Sequence, residues 1–233
     1  MSFSYDPSRP IYIHAINKLR NANYEELYAA TETECLPLYA EHGLNLHCCW
    51  ESAPGQGESP ELIEIWELRD FAAYTAFVAA SHGTGRDPRL RAWQRLRADW
   101  IASSDSMLCL AHPISPTIAE LTERGVKAKL VLHEMIHTNP SRQPDYLDAM
   151  VNMWWKIAEG VGHTVLALLY SPWNNRRAIK IQGMGPEWDD LRPWSTDYGE
   201  HNADFAMWMK MAPALRDDYN DRFLVPAPFS TAR

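Results

Sequence analysis

Two charged residues on matching predicted strands are the first candidates for chemistry in this sequence. Glu64 lies in the segment 62–66 (LIEIW), and Lys180 lies in the segment 178–182 (AIKIQ), each between two isoleucines. Because successive strand residues point to opposite faces, each charge lies on the face opposite its isoleucines. A carboxylate in an apolar pocket becomes a general acid or base near neutral pH. We predict catalytic roles for both residues, with an ion pair between two sheets as the structural alternative.

A histidine on the first predicted strand extends this set. Tyr12 and His14 alternate with apolar residues that suit packing against helices, so both are predicted to face a cavity. Matching Ile16 with Ile136 in the second half of the chain places Glu134 opposite His14. A carboxylate beside a histidine orients the ring and raises its pKa. We therefore predict His14 and Glu134 as catalytic residues and Tyr12 as a substrate-binding residue, although a strand histidine can also be merely hydrogen-bonded.

Three further side chains are predicted to bind substrate because they share the cavity faces. Trp66 and Gln182 lie two residues after the charged positions, and His47 shares a strand face with Cys49. His47 and Cys49 supply too few ligands for a metal. No cofactor and no metal is therefore expected.

A second group of residues resembles a metal-binding triplet but does not fit one. His133, Glu134 and His137 are close in sequence. On a strand, the two histidines fall on one face and the carboxylate on the other, so they cannot hold the same ion. The strand context therefore argues against metal binding here.

Composition narrows the class of protein. The chain has 233 residues, a formal net charge of −8 and no run of basic residues, which disfavours nucleic-acid binding. No apolar run is long enough to cross a membrane, and the first residues lack the features of a signal peptide. The four cysteines show no metal-binding spacing. We expect a cytoplasmic protein with reduced cysteines.

The elements that must position these residues occur twice. Glu64 and Lys180 are 116 residues apart, half of the chain. In the first half, hydrophobic periodicity and turn signals predict strands at 11–16, 44–50, 61–68 and 107–111, and helices at 24–41, 70–80 and 88–100. In the second half they predict strands at 130–136, 164–170, 177–182 and 223–225, and helices at 146–158 and 202–219.

Each half therefore has the order β-α-β-β-α-β of a ferredoxin-like unit. We predict an α+β fold in which tandem duplicated ferredoxin-like halves form an α/β-barrel, with antiparallel sheets inside and helices outside. The predicted division is a first domain at 1–113, a linker at 114–127 with a short helix at 118–124, and a second, diverged domain at 128–233. Pairing of a sheet with another chain, in a homo-oligomer, is the alternative to closure within the chain.

The first half also resembles a known family. The run 39–43 (YAEHG), then Trp50, a glycine loop and the strand 61–66 ending in Trp66, followed by Asp87-Pro88 and Trp93, resembles the NIPSNAP-like family over roughly residues 10 to 113. That family belongs to the dimeric α/β-barrel superfamily. Two positions depart from its pattern, near Ser59-Pro60 and at Glu64, where the family often has Asn and His. The resemblance implies the architecture, whereas members of the superfamily catalyse many different reactions.

These observations lead to one main hypothesis for function and two alternatives. The main hypothesis is a small-molecule enzyme of lyase, isomerase or cyclase type, which uses acid/base chemistry on a small apolar or aromatic substrate without a bound cofactor. The first alternative is a non-catalytic protein that binds a ligand or a partner. The second is an oxygenase, either cofactor-free or haem-dependent.

Overall fold

An eight-stranded antiparallel barrel dominates the computed structural model, which describes residues 6–55, 60–185, 187 and 202–233. The strands are β1 (Ile11–Leu19), β2 (Leu44–Ser52), β3 (Glu61–Leu68), β4 (Ile101–Ala111), β5 (Val131–Thr138), β6 (Thr164–Tyr170), β7 (Arg177–Gly183) and β8 (Arg216–Pro226). Around the barrel they follow the order β1-β3-β2-β8-β5-β7-β6-β4.

Six helices accompany the strands in the part of the chain that is described. They are α1 (24–41), α2 (Phe71–His82), α3 (Pro88–Arg97), α4 (Ile118–Arg124), α5 (143–159) and α6 (Ala203–Met211). Asp70 accepts a hydrogen bond from the backbone N–H of Ala73 and so caps α2. Gly43 adopts a left-handed backbone just after α1, the conformation that glycine favours after the end of a helix. No described helix combines the length and the hydrophobicity needed to cross a membrane.

The strand order confirms the predicted fold class. Each half contains the ferredoxin-like order, β4-β1-β3-β2 in the first and β8-β5-β7-β6 in the second. Two short ladders join the halves: residues 50–52 pair with 224–226, and residues 110–111 pair with 169–170. The barrel therefore closes within one chain. The division at residues 113 and 128 stays a prediction.

Irregular features repeat between the halves as well as regular ones. A π-helical turn interrupts α1 at Thr31–Cys35 and α5 at Met150–Trp154. A bulge inserts His47 into β2 and Leu166 into β6. Position 31 corresponds to 150 and position 47 to 166, so both features recur at the same spacing of 119 residues. A shared origin of the two halves explains why such local irregularities coincide.

One predicted element is wrong in part. The helix predicted at 202–219 ends at Met211, a 3₁₀ turn covers Ala212–Ala214, and β8 begins at Arg216. Pro213 lacks an N–H and breaks the helix. Beyond it the chain pairs with β5, where Tyr219 lies opposite Ile136.

The barrel wall separates two apolar layers. Inside the barrel, residues from all eight strands pack together, among them Trp50, Ile63, Ile65, Ile179 and Ile181. Outside it, α1, α3, α5 and α6 pack against the opposite face of the strands. The strands are therefore buried on both faces, which alternation of apolar residues alone does not reveal.

Replacing Gly183 by alanine should destabilise the protein by about 1–3 kcal/mol, because an added methyl would overpack the end of β7. A Cβ at Gly183 would lie 2.7 Å from the Cβ of Ala128. Urea unfolding measures the change, and adding Ala128→Gly to the same chain should recover most of the loss. Full stability of the Gly183→Ala protein would contradict this contact.

Candidate active site

Glu64 on β3 and Lys180 on β7 point outward to the helices, not into the barrel. Their flanking isoleucines fill the barrel interior, whereas Glu64 contacts Arg97 of α3 and Lys180 contacts Trp154 of α5. The predicted cavity-facing orientation of Glu64 and Lys180 is therefore wrong. The prediction assigned the isoleucines to the helix side, but a closed barrel needs apolar filling on its inner face too.

Trp66 and Gln182 share this outward orientation, so their predicted place in the barrel cavity is also wrong. The ring of Trp66 packs on Tyr39 of α1, with 4.9 Å between the ring centroids. The side-chain oxygen of Gln182 accepts a 2.9 Å hydrogen bond from the indole N–H of Trp154. Both residues tie the sheet to the helices that cover it.

His14 and Tyr12 do face the barrel interior, as predicted. The Nε2 atoms of His14 and His133 lie 2.9 Å apart across the barrel. In the strand registers, Ala15 pairs with Glu64 and Glu134 pairs with Lys180. Glu134 therefore corresponds to Ala15, and His133 is the residue that corresponds to His14.

The predicted alignment of Glu134 with His14 is thus wrong by one residue. Glu134 lies on the helix side of β5, where it forms an ion pair with Lys180. Burial, together with the nearby charge of Arg222, lowers the pKa of His14 to about 3. His14 is therefore neutral, and the expected rise of its pKa by a carboxylate does not occur.

His47 and Tyr12 are held by hydrogen bonds inside the barrel. His47 lies 2.9 Å from the carbonyl oxygen of Pro116, and the Tyr12 hydroxyl donates a 3.1 Å hydrogen bond to Glu67. Burial lowers the pKa of His47 to about 4. The bulge at His47 turns Cys49 to the helix side, where burial raises the pKa of its thiol. Cys49 is therefore not a reactive thiol.

Glu64 is the acceptor at the centre of a buried polar cluster. It accepts hydrogen bonds from the Asn17 amide at 3.1 Å, the Trp66 indole at 3.4 Å and the Arg97 guanidinium at 2.5 Å. Burial alone would lower the pKa of Arg97, but Glu64 raises it and the net shift is upward. A carboxylate held by three donors is suited to anchoring Arg97 rather than to exchanging a proton.

Lys180 has a different environment at the corresponding position of the second half. It is 1% exposed, forms an ion pair with Glu134, and lies 3.9 Å from the ring centroid of Trp154. Burial lowers the pKa of Lys180, and Glu134 offsets part of that shift. A lysine with a lowered pKa supplies more neutral amine near neutral pH and can act as a base.

A pocket opens beside this lysine, between the sheet and α6. It has a volume of about 180 Å³. Its lining includes Leu132, Glu134, Trp154, Lys180, Phe205, Trp208, Arg216, Tyr219 and Phe223. Apolar and aromatic side chains surrounding a few charged groups are typical of small-molecule sites. Among the predicted site residues, this pocket brings Lys180 and Glu134 together but includes neither His14 nor Glu64.

Sequence reasoning missed three partners that define these clusters. They are Arg97, Trp154 and His133, of which only His133 was considered, as part of a rejected metal triplet. Only the spacing of 119 residues between His14 and His133 carried a usable signal. Arg97 and Trp154 contact their partners across elements, which their local patterns do not specify.

The pocket does not fit a haem, and the described residues offer no metal centre. Its volume of about 180 Å³ lies below the roughly 300 Å³ at which pockets for drug-sized ligands begin, and a porphyrin is larger than those ligands. Within the described ranges, no group of three or more His, Cys, Asp and Glu side chains is arranged to hold a metal ion. We derive no step through either group.

Comparison with known proteins gives similarity in structure only. No protein-family model matches the chain, and no curated protein matches it in sequence. An anthrone oxidase-like protein of known structure is 8% identical, with a TM-score of 0.60 over 99% of this chain and 97% of that one.

Two more solved structures bear on the predicted family. A candidate monooxygenase from Lactobacillus acidophilus NCFM is 12% identical, with a TM-score of 0.59 over 94% of each chain. A NIPSNAP family protein of unknown function from Agrobacterium tumefaciens is 18% identical, with a TM-score of 0.41 over 48% of this chain and 97% of that one, too weak to carry an argument. The chain thus has the fold of the ferredoxin-like dimeric α/β-barrel proteins, as the resemblance implied.

Proposed function

We propose that the protein is a small-molecule enzyme that removes a proton from a carbon next to a carbonyl group, with Lys180 as the base. The observation that carries the proposal is a buried lysine of lowered pKa, paired with Glu134, at the wall of an aromatic pocket. Enzymes use such lysines as bases because burial brings their pKa toward the working pH.

Three charged side chains that line the pocket have roles in this step. The neutral amine of Lys180 takes the proton, and Glu134 stabilises the ammonium that forms. The substrate is left as an enolate, whose negative oxygen needs a fixed positive partner. Arg216 lines the same pocket and is positioned by stacking on Tyr219, with its central carbon 3.8 Å from the ring centroid. Its guanidinium supplies that partner.

The pocket walls indicate the class of substrate. Trp154, Phe205 and Trp208 line one side, and they favour a flat apolar molecule. The volume of about 180 Å³ restricts it to one or two rings. Proton removal from such a molecule is the first step of an isomerisation or an elimination. In the names of several structural neighbours, such as the anthrone oxidase-like protein, oxidation of a small molecule is the common theme, and an enolate is also what a cofactor-free oxygenase would oxidise.

Exchange of hydrogen for deuterium tests the step without knowledge of the natural substrate. The probe is 2-tetralone, a two-ring ketone with an acidic C–H between its ring and its carbonyl. Mass spectrometry follows its deuteration in D₂O buffer under argon. The wild-type protein should accelerate exchange, and Lys180→Met should reduce that acceleration about 100-fold or more. The acceleration should also rise with pH, with a midpoint below the ordinary pKa of lysine.

Lys156→Met is the matched control, since Lys156 is exposed on α5 away from Lys180. The Lys156→Met protein should accelerate the deuteration of 2-tetralone as much as the wild type does. Binding of 2-tetralone without accelerated exchange would favour the non-catalytic alternative and contradict the acid/base proposal. Equal exchange by Lys180→Met and wild type would exclude Lys180 as the base.

Four broader predictions accompany this proposal. We propose a cytoplasmic location, supported by the four buried cysteines, which form no disulfide. A homo-oligomer and the narrower NIPSNAP-like assignment of the first half are proposed on the resemblance, and the domain division at 113 and 128 is proposed on the repeated order of elements.

A further inference from the structure

A second pocket lies at one mouth of the barrel. It is lined from the inner face of the strands, whereas Lys180 lies on their outer face. It has a volume of about 410 Å³. Its lining includes Ile16, Lys18, Glu61, Ser103, Asp105, Met135, His137, Arg177, Asp218, Asn220 and Arg222. The size falls within the usual range for small-molecule sites. Unlike the pocket beside Lys180, it is lined mainly by charged and polar side chains.

The mouth pocket contains corresponding residues of the two halves whose charges have diverged. In the strand registers, Glu61 of β3 lies opposite Lys18 of β1, and Arg177 of β7 lies opposite His137 of β5. Glu61 and Arg177 are therefore corresponding positions of the two halves. An acid therefore faces the mouth in the first half and a base in the second. The mouth pocket is therefore lined by charges of both signs.

The floor of the pocket holds a buried guanidinium. Arg222 is 8% exposed, forms an ion pair with Glu61, and donates a 3.0 Å hydrogen bond to Asn220. Its Nε is buried and has no acceptor among the described residues. Beneath it, burial keeps the pKa of both His14 and His133 low, so the histidines are neutral. Arg222 is therefore a positive group whose hydrogen-bond donors are only partly used.

The rim carries further charges without partners. Within the described ranges, no carboxylate forms an ion pair with Arg177, and no cation forms one with Asp105 or Asp218. Charged groups that line a pocket and lack partners favour a ligand of the opposite charge. Here both signs are present, so a ligand with both signs satisfies them best.

We propose that the barrel mouth binds a small zwitterion carrying one carboxylate and one ammonium group, of the amino-acid type. The carboxylate would accept hydrogen bonds from the guanidinium groups of Arg177 and Arg222, since a guanidinium matches a carboxylate in shape and charge. The ammonium would contact Asp105, which lines the same pocket. This site is independent of the proton-transfer proposal, because the barrel wall separates the two pockets.

The test uses the full chain and a panel of free amino acids. The standard L-amino acids, β-alanine and 4-aminobutyrate are screened by saturation-transfer NMR, and those that bind are measured by calorimetry. Propionate and propylamine, which each carry only one charge, serve as half-probes. At least one zwitterion should bind about tenfold or more tightly than either half-probe.

Variants locate the binding. Arg177→Gln and Asp105→Asn change half-buried and exposed residues, so both variants should fold, and each should weaken the zwitterion about tenfold or more. Arg91→Gln and Asp99→Asn, exposed on or just after α3, should leave the affinity unchanged. Failure of every zwitterion to bind would overturn the proposal. So would equal binding of propionate, or binding that neither pocket variant alters.

Discussion

Replacing Glu64 by leucine should lower the free energy of unfolding by about 3–5 kcal/mol, because it leaves the charge of Arg97 without its partner in the interior. The Arg97 side chain is 19% exposed and Glu64 is 3% exposed in their ion pair. Arginine cannot lose its proton at accessible pH, so the variant cannot escape the cost by neutralising Arg97. Asn17 and Trp66 also lose their acceptor at Glu64.

Urea unfolding followed by tryptophan fluorescence measures this loss. Glu32→Leu, an exposed position on α1, is the control and should change stability little. The double variant Glu64→Leu/Arg97→Leu should be more stable than Glu64→Leu, because it removes the stranded charge. A loss below about 1 kcal/mol in Glu64→Leu would mean that the pair is hydrated and not buried.

Lys180 corresponds to Glu64 in the second half, and Glu134 is its ion-pair partner. The loss of free energy of unfolding in Glu134→Leu should depend on pH. Burial lowers the pKa of Lys180, and Glu134 is the main group that opposes it, so without Glu134 the pKa of Lys180 falls further than in the wild type. At pH values below the variant's Lys180 pKa, the lysine is charged and unpaired, and the cost should reach about 3–5 kcal/mol. At pH values above that pKa, Lys180 is neutral, so no unpaired charge is buried and the loss of stability is smaller.

The sign follows from proton binding in the two states. Between the Lys180 pKa of the folded variant and that of the wild type, the unfolded variant holds one proton more than the folded variant. Its free energy of unfolding therefore rises with pH, by about 1.4 kcal/mol per pH unit. In the wild type Lys180 remains protonated over this window, so the difference between the two proteins shrinks as the pH increases.

Unfolding curves at several pH values test this result, with Glu64→Leu as the comparison. The cost of Glu64→Leu should stay constant over the same range, since Arg97 remains charged. Equal pH profiles for Glu64→Leu and Glu134→Leu would contradict a titrating Lys180, and with it the role of that lysine as a base.

Much of the fold was predictable because it depends on local patterns. The strands at 61–68 and 164–170 and the short helix at 118–124 occur where the local sequence pattern placed them. The helix predicted at 202–219 failed beyond Met211, where pairing with β5 decides the structure. Local propensity specifies an element, but a partner strand can override it.

The candidate site was predictable only in its residue types. Lys180 and Glu134 were selected as chemical groups, yet both were placed on the wrong side of the sheet, and Glu134 was matched to His14 and not to Ala15. Alternation shows that two faces differ, but it cannot show which one meets the helices when both are buried. Arg216 and Trp154 reach the same pocket from β8 and α5, which no local pattern relates.

The sequence by itself determined that the chain is a duplicated ferredoxin-like fold with a charged residue at Glu64 and at its counterpart Lys180. Only the tertiary structure decided that these charges lie beneath the helices, and that Arg97 holds one while Glu134 and an aromatic pocket surround the other. The physical reason is that the repeat spacing and the alternation of a strand depend only on positions along the chain, so the sequence shows them directly. The pKa of a side chain is set instead by burial and by the charges that folding brings beside it.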